Sequence, residues 1–182
     1  MKVLLDACVL YPTVQREVLL HAARAGTFTP LWSERILEEW RRAAARLGPV
    51  PAAQAEGEIA VLRGLWPQAM VRHKESDERR LYLPDENDIH VLAAAIAGSA
   101  EILLTENAKD FPRQTLVDEG IRRDGPDHFL TSLLVTFPRE IGQAVATVWA
   151  QAQSMEGCPP TQRALLKKAR LPRLSKALES AL

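Results

Sequence analysis

A chain of 182 residues is long enough for one well-buried domain and leaves about thirty to sixty residues over, which excludes two domains of comfortable size. Hydrophobic residues at 47% and charged residues at 25% are a globular composition and exclude a disordered chain. A formal net charge of zero excludes attraction of nucleic acid to the molecule as a whole, so any such attraction must come from a local patch.

The stretch "KVLL", residues 2 to 5, is short, apolar and stopped by Asp6, which predicts a buried parallel strand ending in a polar residue. A helix is expected next over "TVQREVLLHAARAG", with Val14, Val18, Leu19, Ala22 and Ala25 on one side and Gly26 as its stop. "TFTPLW" reads as a short extended piece. Ser33 then caps "SERILEEWRRAAARLG", where Ile36, Leu37 and Trp40 form the inward stripe and Gly48-Pro49 ends the helix. "PVPAAQAEGEIAVLRGLWP" predicts a further helix, "AMVRH" a strand, and "HKESDERR" a solvated turn or short helix. A helix from about Glu86 to Ala97, closed by Gly98, leads into "EILLT" as a strand, and "GIRR" is a candidate last edge strand.

Alternation of helix and strand from residue 2 to about residue 123 implies a parallel sheet covered on both faces by helices. From "GPDHFLTSLLVTF" onward the pattern is purely helical, broken at "GCPP", residues 157 to 160. The division expected is an α/β domain over residues 1–125 and a helical region over residues 126–182. The tail from 161 to 182 carries Arg163, Lys167, Lys168, Arg170, Arg173 and Lys176 against the single acid Glu179.

Cys8 and Cys158 stand far apart with no CxxC or Cys/His spacing, which argues against a zinc knuckle or a disulfide scaffold and for a reducing compartment. Asp6 interrupts what would have to be an uncharged leader segment, and no stretch reaches about 18 consecutive apolar residues. A soluble, cytoplasmic protein without membrane association is expected.

In open α/β sheets ligands bind at the carboxyl ends of the strands. Asp6 ends the first strand, while Thr105, Asn107 and Asp110 follow "EILL"; Asp85 and Asp88 begin the helix that leads into that strand, and Glu39 sits beside Ile36 in the helix after the second strand. All the donors are oxygen, a set that suits Mg²⁺ or Mn²⁺, and a cation would compensate acids that otherwise disfavour one another's ionisation. Against this, Asp85 is a good helix cap and Asp88 in a first turn is favoured by the helix dipole with no metal at all. His90 reads as a surface or satisfied core histidine, and the four tryptophans as packing residues.

Four stretches together resemble the PIN-domain family, over roughly residues 1 to 125. "VLLDACVLYP" is similar to the opening strand with its first acid, Asp6. "WSERILEEWRR" matches the second motif through Glu39 rather than Glu38. "PDENDIHVLAAAI" resembles the third, with Asp88 as metal-binding acid and Asp85 as an accessory one. "LLTENAKDFP" resembles the fourth in a subgroup with Thr105, Asn107 and Asp110 before Phe111-Pro112, where the commoner pattern has an acid in place of Asn107. The region from 126 to 182 is similar to the C-terminal extension of that subgroup.

The resemblance implies a three-layer α/β/α sandwich with a four- or five-stranded parallel sheet, plus a C-terminal helical extension. It further implies an Mg²⁺- or Mn²⁺-dependent endoribonuclease of the VapC-like toxin type. Asp6, Glu39 and Asp88 would hold the metal, Asn107 or Asp110 would complete the site, Thr105 would orient a ligand or water, and Asp85 would assist. The partners expected are RNA, drawn in by Lys167, Lys168 and Arg170, and a cognate antitoxin protein, with a homodimer left open. One rival is a PIN-like module that binds RNA or a partner without cutting it. The other is a phosphatase forming an aspartyl-phosphate on Asp6, a chemistry that wants a second acid two residues on, where Cys8 stands.

Overall fold

The computed structural model describes residues 1–155 and 157–181, with Ala181 described by its backbone alone. The elements run β1 (Lys2–Leu5), α1 (Ala7–Leu10), α2 (Thr13–Arg24), β2 (Thr29–Ser33), α3 (Glu34–Ala45), α4 (Pro49–Leu65), β3 (Met70–Val71), α5 (Glu75–Glu78), α6 (Ile89–Ala97), β4 (Ile102–Leu104), α7 (Arg113–Asp118) and β5 (Arg122–Asp124), followed by α8 (Pro126–Thr136), α9 (Pro138–Gln153), α10 (Gln162–Lys168) and α11 (Pro172–Ala181). They group into two compact units: residues 1–11 with 29–123, and residues 12–28 with 124–182.

The first unit is built on a five-stranded parallel sheet of order β3-β2-β1-β4-β5, flanked by helices. This is the α/β/α architecture that the alternating pattern predicts. β1 is central: Val3 lies opposite Pro30 on one side and Ile102 on the other, and Leu4 opposite Leu31 and Leu103. A strand paired on both edges and covered on both faces has no polar side, which is why Val3, Leu4 and Leu5 are fully buried and why the run is uninterrupted in sequence. Chain order reverses at β1, so the carboxyl end of this strand is the switch point where such sheets place their sites.

Local chemistry sets the helices that carry side chains to that edge. Ser33 caps α3 by accepting from the backbone N–H of Ile36 at 3.3 Å, as its residue type predicts, and Ile36, Leu37 and Trp40 form the buried stripe. α6 packs on the sheet so closely at its far end that a Cβ on Gly98 would stand 2.8 Å from Leu31 Cδ1 and 2.9 Å from Val71 Cγ2. A Cβ there would require the Leu31 and Val71 side chains to shift, so glycine suits the close approach of this helix end to β2 and β3.

Three local expectations are revised. The strand over "AMVRH" shrinks to Met70–Val71, paired at the outer edge of β2. The helix expected from Glu86 begins instead with a 3-10 turn, Glu86–Asp88, because Asp85 accepts from the N–H of Asn87 at 2.9 Å and its carbonyl from Asp88 at 3.1 Å, closing the chain one residue tighter than an α-turn. In α2 the buried stripe holds Gln15, Arg16, Val18, Leu19, Leu20, Ala22 and Ala23 while Ala25 is exposed; the apolar pattern in sequence did not include the two polar members.

The second unit is helical. α2 packs on α9, α8 on α9 and α11, and α10 on α11, with Phe28 and Phe129 edge to face at 5.1 Å between ring centres. Asp127 caps α11 from α8, its two carboxylate oxygens accepting from the N–H groups of Arg173 and Leu174 at 3.0 Å. Among the described residues no helix is long and apolar enough to cross a membrane.

Candidate metal centre

Asp6 follows the last residue of β1, and its N–H still bonds the carbonyl of Leu104 at 3.1 Å, one residue beyond the strand. Its carbonyl starts α1, accepting from Val9 and Leu10. Asp6 is 6% exposed. Its Oδ2 accepts from the Thr105 hydroxyl at 2.7 Å and from the Cys8 thiol at 3.0 Å. Burial pushes the Asp6 carboxyl above its ordinary range; the bonds from Thr105, Cys8 and the Ala7 backbone pull it back, and the charge of Glu39 pushes it further up. Cys8 is itself pushed up to about 12, first by burial and then by the charge of Asp6, so it stands beside Asp6 as a neutral thiol that donates.

Thr105, 3% exposed just past β4, uses its hydroxyl twice, donating to Asp6 and accepting from the N–H of Asn107 at 2.9 Å. The second bond turns the chain back, so that the Asn107 amide donates to Asp88 Oδ2 at 3.3 Å. Asp88 sits at the N-terminus of α6. The carboxylate oxygens of Asp85, Asp88 and Asp110 lie within 4.8 Å of one another, all three residues being partly buried. The Asp88 carboxyl is pushed up to about 6, first by burial and then by the charges of Asp6, Asp85, Asp110 and Glu39.

Glu39 enters from α3, its Oε1 bonded to His90 Nε2 at 2.6 Å. Its neighbour Glu38 instead pairs with Arg41 and Arg42 on the helix surface and is held below its ordinary range, chiefly by Arg42. Among the described residues Asp85, Asp88 and Asp110 form the close group, and Asp6 and Glu39 stand outside it but near enough for their charges to act on Asp88; Thr105 and Asn107 link Asp6 to Asp88. Among the described residues, none of Asp6, Asp85, Asp88 and Asp110 forms an ion pair with a basic side chain. Lys167, Lys168 and Arg170 belong to the second unit, at the end of α10 and just beyond it, and are exposed.

Two neighbours of the cluster carry no sequence motif of their own. Cys8 holds Asp6, and its signal in sequence is only its place two residues after the strand-end acid. His90 holds Glu39, and its signal is a lone polar residue opening an otherwise unbroken apolar helix.

Comparison with known proteins agrees with this geometry. A model of the PIN domain matches residues 2–109, more than half of the chain. The chain belongs to the PIN-domain family. No curated protein matches it, and no solved structure does. PIN domains are generally metal-dependent nucleases, and the cluster in this PIN domain fits a divalent cation on its own terms. Every side-chain oxygen in the group is a hard donor, and burial together with the charges of Asp6, Asp85, Asp110 and Glu39 pushes the Asp88 carboxyl up to about 6.

Proposed function

We propose that this PIN domain is an endoribonuclease dependent on Mg²⁺ or Mn²⁺, acting as the toxin of a toxin–antitoxin pair in the cytoplasm. The observation that carries the reading is the group of Asp85, Asp88 and Asp110 within 4.8 Å of one another, with Asp6 and Glu39 near enough for their charges to push Asp88 up. Asp6, Glu39 and Asp88 would hold the cation, with Asp110 or the Asn107 carbonyl completing the set and Asp85 assisting. When bound, the cation supplies charge stabilisation for a phosphodiester and a water of lowered pKa.

The chain's own residues prepare the reaction. Thr105 and Cys8 fix one oxygen of Asp6, so the carboxylate stands in one orientation before any ligand arrives. Asn107 ties the β4 loop to Asp88. The collected negative charge repels RNA unless a cation is present, which makes cleavage conditional on metal. A cognate antitoxin would silence the site, and a homodimer is compatible with this reading.

Incubating the purified chain with structured and single-stranded RNA, in Mg²⁺, Mn²⁺ or EDTA, tests the reading. Endonucleolytic products with either metal and none in EDTA are expected, together with growth arrest on expression. Asn107 supports a second reading, a PIN-like module that binds RNA or a partner without cutting, since a carbonyl oxygen replaces a charged donor there. RNA binding with no products at any metal concentration would favour that module and overturn the nuclease.

A further inference from the structure

The imidazole of His90 has no exposed surface, and its Nε2 lies 2.6 Å from Glu39 Oε1, fifty-one residues away in sequence and on a different helix. Its other nitrogen, Nδ1, is buried and has no hydrogen-bond partner. A carboxylate can only accept, so the proton of a neutral ring is on Nε2, and the bare Nδ1 is an acceptor left over. A core histidine retained for stability alone would be better with both nitrogens satisfied or replaced by an apolar residue.

Glu39 explains the arrangement. Its side chain is 32% exposed, has three rotatable bonds, and stands among carboxylates that repel it. Unaided, it would turn toward water. His90 sits two residues after Asp88 on α6, whose far end packs closely on Leu31 and Val71 at Gly98. The bond from Nε2 therefore references Glu39, carried by α3, to the same rigid element that carries Asp88. One oxygen of Glu39, Oε1, is taken by the imidazole, and the carboxylate stays near enough for its charge to act on Asp88.

We propose that His90 is a positioning residue, which holds the Glu39 carboxylate beside Asp88 so that both act on one divalent cation. The inference rests on the metal-dependent reading above. Outer partners that orient a ligand commonly change metal affinity by about 10–100-fold when removed, and the effect must pass through Glu39 alone.

The test is Mn²⁺ affinity, read by electron paramagnetic resonance of the free ion, for the parent, His90→Leu, His90→Gln, Glu39→Gln and the double variant His90→Leu with Glu39→Gln. The expected result is a loss of about tenfold or more in His90→Leu, substantial recovery in His90→Gln, whose amide reaches the place of Nε2, and no further loss in the double variant beyond Glu39→Gln. Parent-like affinity in His90→Leu, failure of the glutamine to rescue, or additive losses would each overturn the positioning role while leaving the metal reading intact. No Mn²⁺ binding by the parent would overturn both. Should His90→Leu fail to fold, nitrogen-15 spectra of the imidazole decide. The parent must show the Nε2–H form with a downfield, hydrogen-bonded proton that moves upfield in Glu39→Ala, and an unchanged resonance would reject the bond.

Discussion

Thr105 donates its hydroxyl to Asp6 Oδ2 at 2.7 Å, joining the ends of the two strands β1 and β4 across 99 residues of sequence. The same hydroxyl accepts from the backbone of Asn107, so one oxygen atom ties the first strand-end acid to the loop that reaches Asp88. Thr105→Val keeps the shape and removes both bonds. A cost of about 1–3 kcal/mol is expected, because a buried carboxylate and a backbone N–H are left short of partners. Urea denaturation measures it, and Thr105→Ser should recover most of the loss.

A cation that binds the folded cluster should stabilise the fold by mass action, because the unfolded chain lacks that cluster. Melting temperature is expected to rise with added Mn²⁺. Asp88→Asn should show two opposite effects: a higher melting temperature than the parent in EDTA, since one member of a repelling set is neutralised, and little further rise with Mn²⁺. A parent-like Mn²⁺ response in the variant would remove Asp88 from the ligands.

The pH dependence without metal follows from the same residue. The Asp88 carboxyl titrates at about 6 in the folded protein against an ordinary 3.8, so between those values the folded state binds the proton more readily than the unfolded chain. Stability from this group is fully present below 3.8 and is lost as pH rises through about 6. In EDTA, the melting temperature of the parent relative to Asp88→Asn should therefore rise as pH falls from 7 to about 5. In saturating Mn²⁺ the sign reverses, because the proton displaces the cation. A difference between the two proteins that stays flat with pH in EDTA would show that Asp88 is not perturbed.

The fold was legible because its signals are local. "KVLL" is apolar at every position, as a strand buried on both faces must be, and the Ser33 cap, the Gly98 stop and the helix–strand alternation each depend on a few adjacent residues. The placement of the candidate residues was legible for a related reason: strand ends and helix starts are positions, and Asp6, Asp85, Asp88, Thr105, Asn107 and Asp110 stand at or just beyond them. What depends on tertiary neighbours was not legible. Nothing in "TVQREVLLHAARAG" says that Gln15 and Arg16 turn inward, or that residues 12–28 cluster with the C-terminal helices. Nor does His90 announce Glu39, since a lone histidine acquires a partner only when α3 and α6 meet.

Removing charge from Asp6 tests catalysis apart from folding. Asp6→Asn is nearly isosteric and can still accept from Thr105, and it relieves a carboxyl that burial holds above its ordinary range. Folding stability should be unchanged or slightly higher by thermal melt, while metal-dependent RNA cleavage falls by two orders of magnitude or more, about 3 kcal/mol of transition-state stabilisation, and growth arrest disappears. A folded Asp6→Asn protein that cuts RNA like the parent would place the chemistry elsewhere.

The basic tail poses the last question, whether charge in the second unit serves RNA. Arg163 is already engaged, bonding Glu179 at 2.9 and 3.0 Å, whereas Lys167, Lys168 and Arg170 are exposed and form no ion pair among the described residues. The helix dipole accounts for part of this, since cations are favoured in the last turn of α10, and a solvated cap would need nothing more. A neutral chain with clustered acids must nevertheless bring phosphate in from somewhere, and these three side chains gather exposed positive charge at and just beyond the end of α10. Changing all three to Glu in the Asp6→Asn background, where RNA is bound but not cut, should weaken binding by fluorescence anisotropy. The slope of log affinity against log salt should fall by about 2, at ~0.7 per phosphate contact on single strands. The Mn²⁺ dependence of the melting temperature, measured with Asp6 intact, should not change. Equal affinity and equal salt slope in the triple variant would refute the RNA role and leave these residues as the solvated end of a helix.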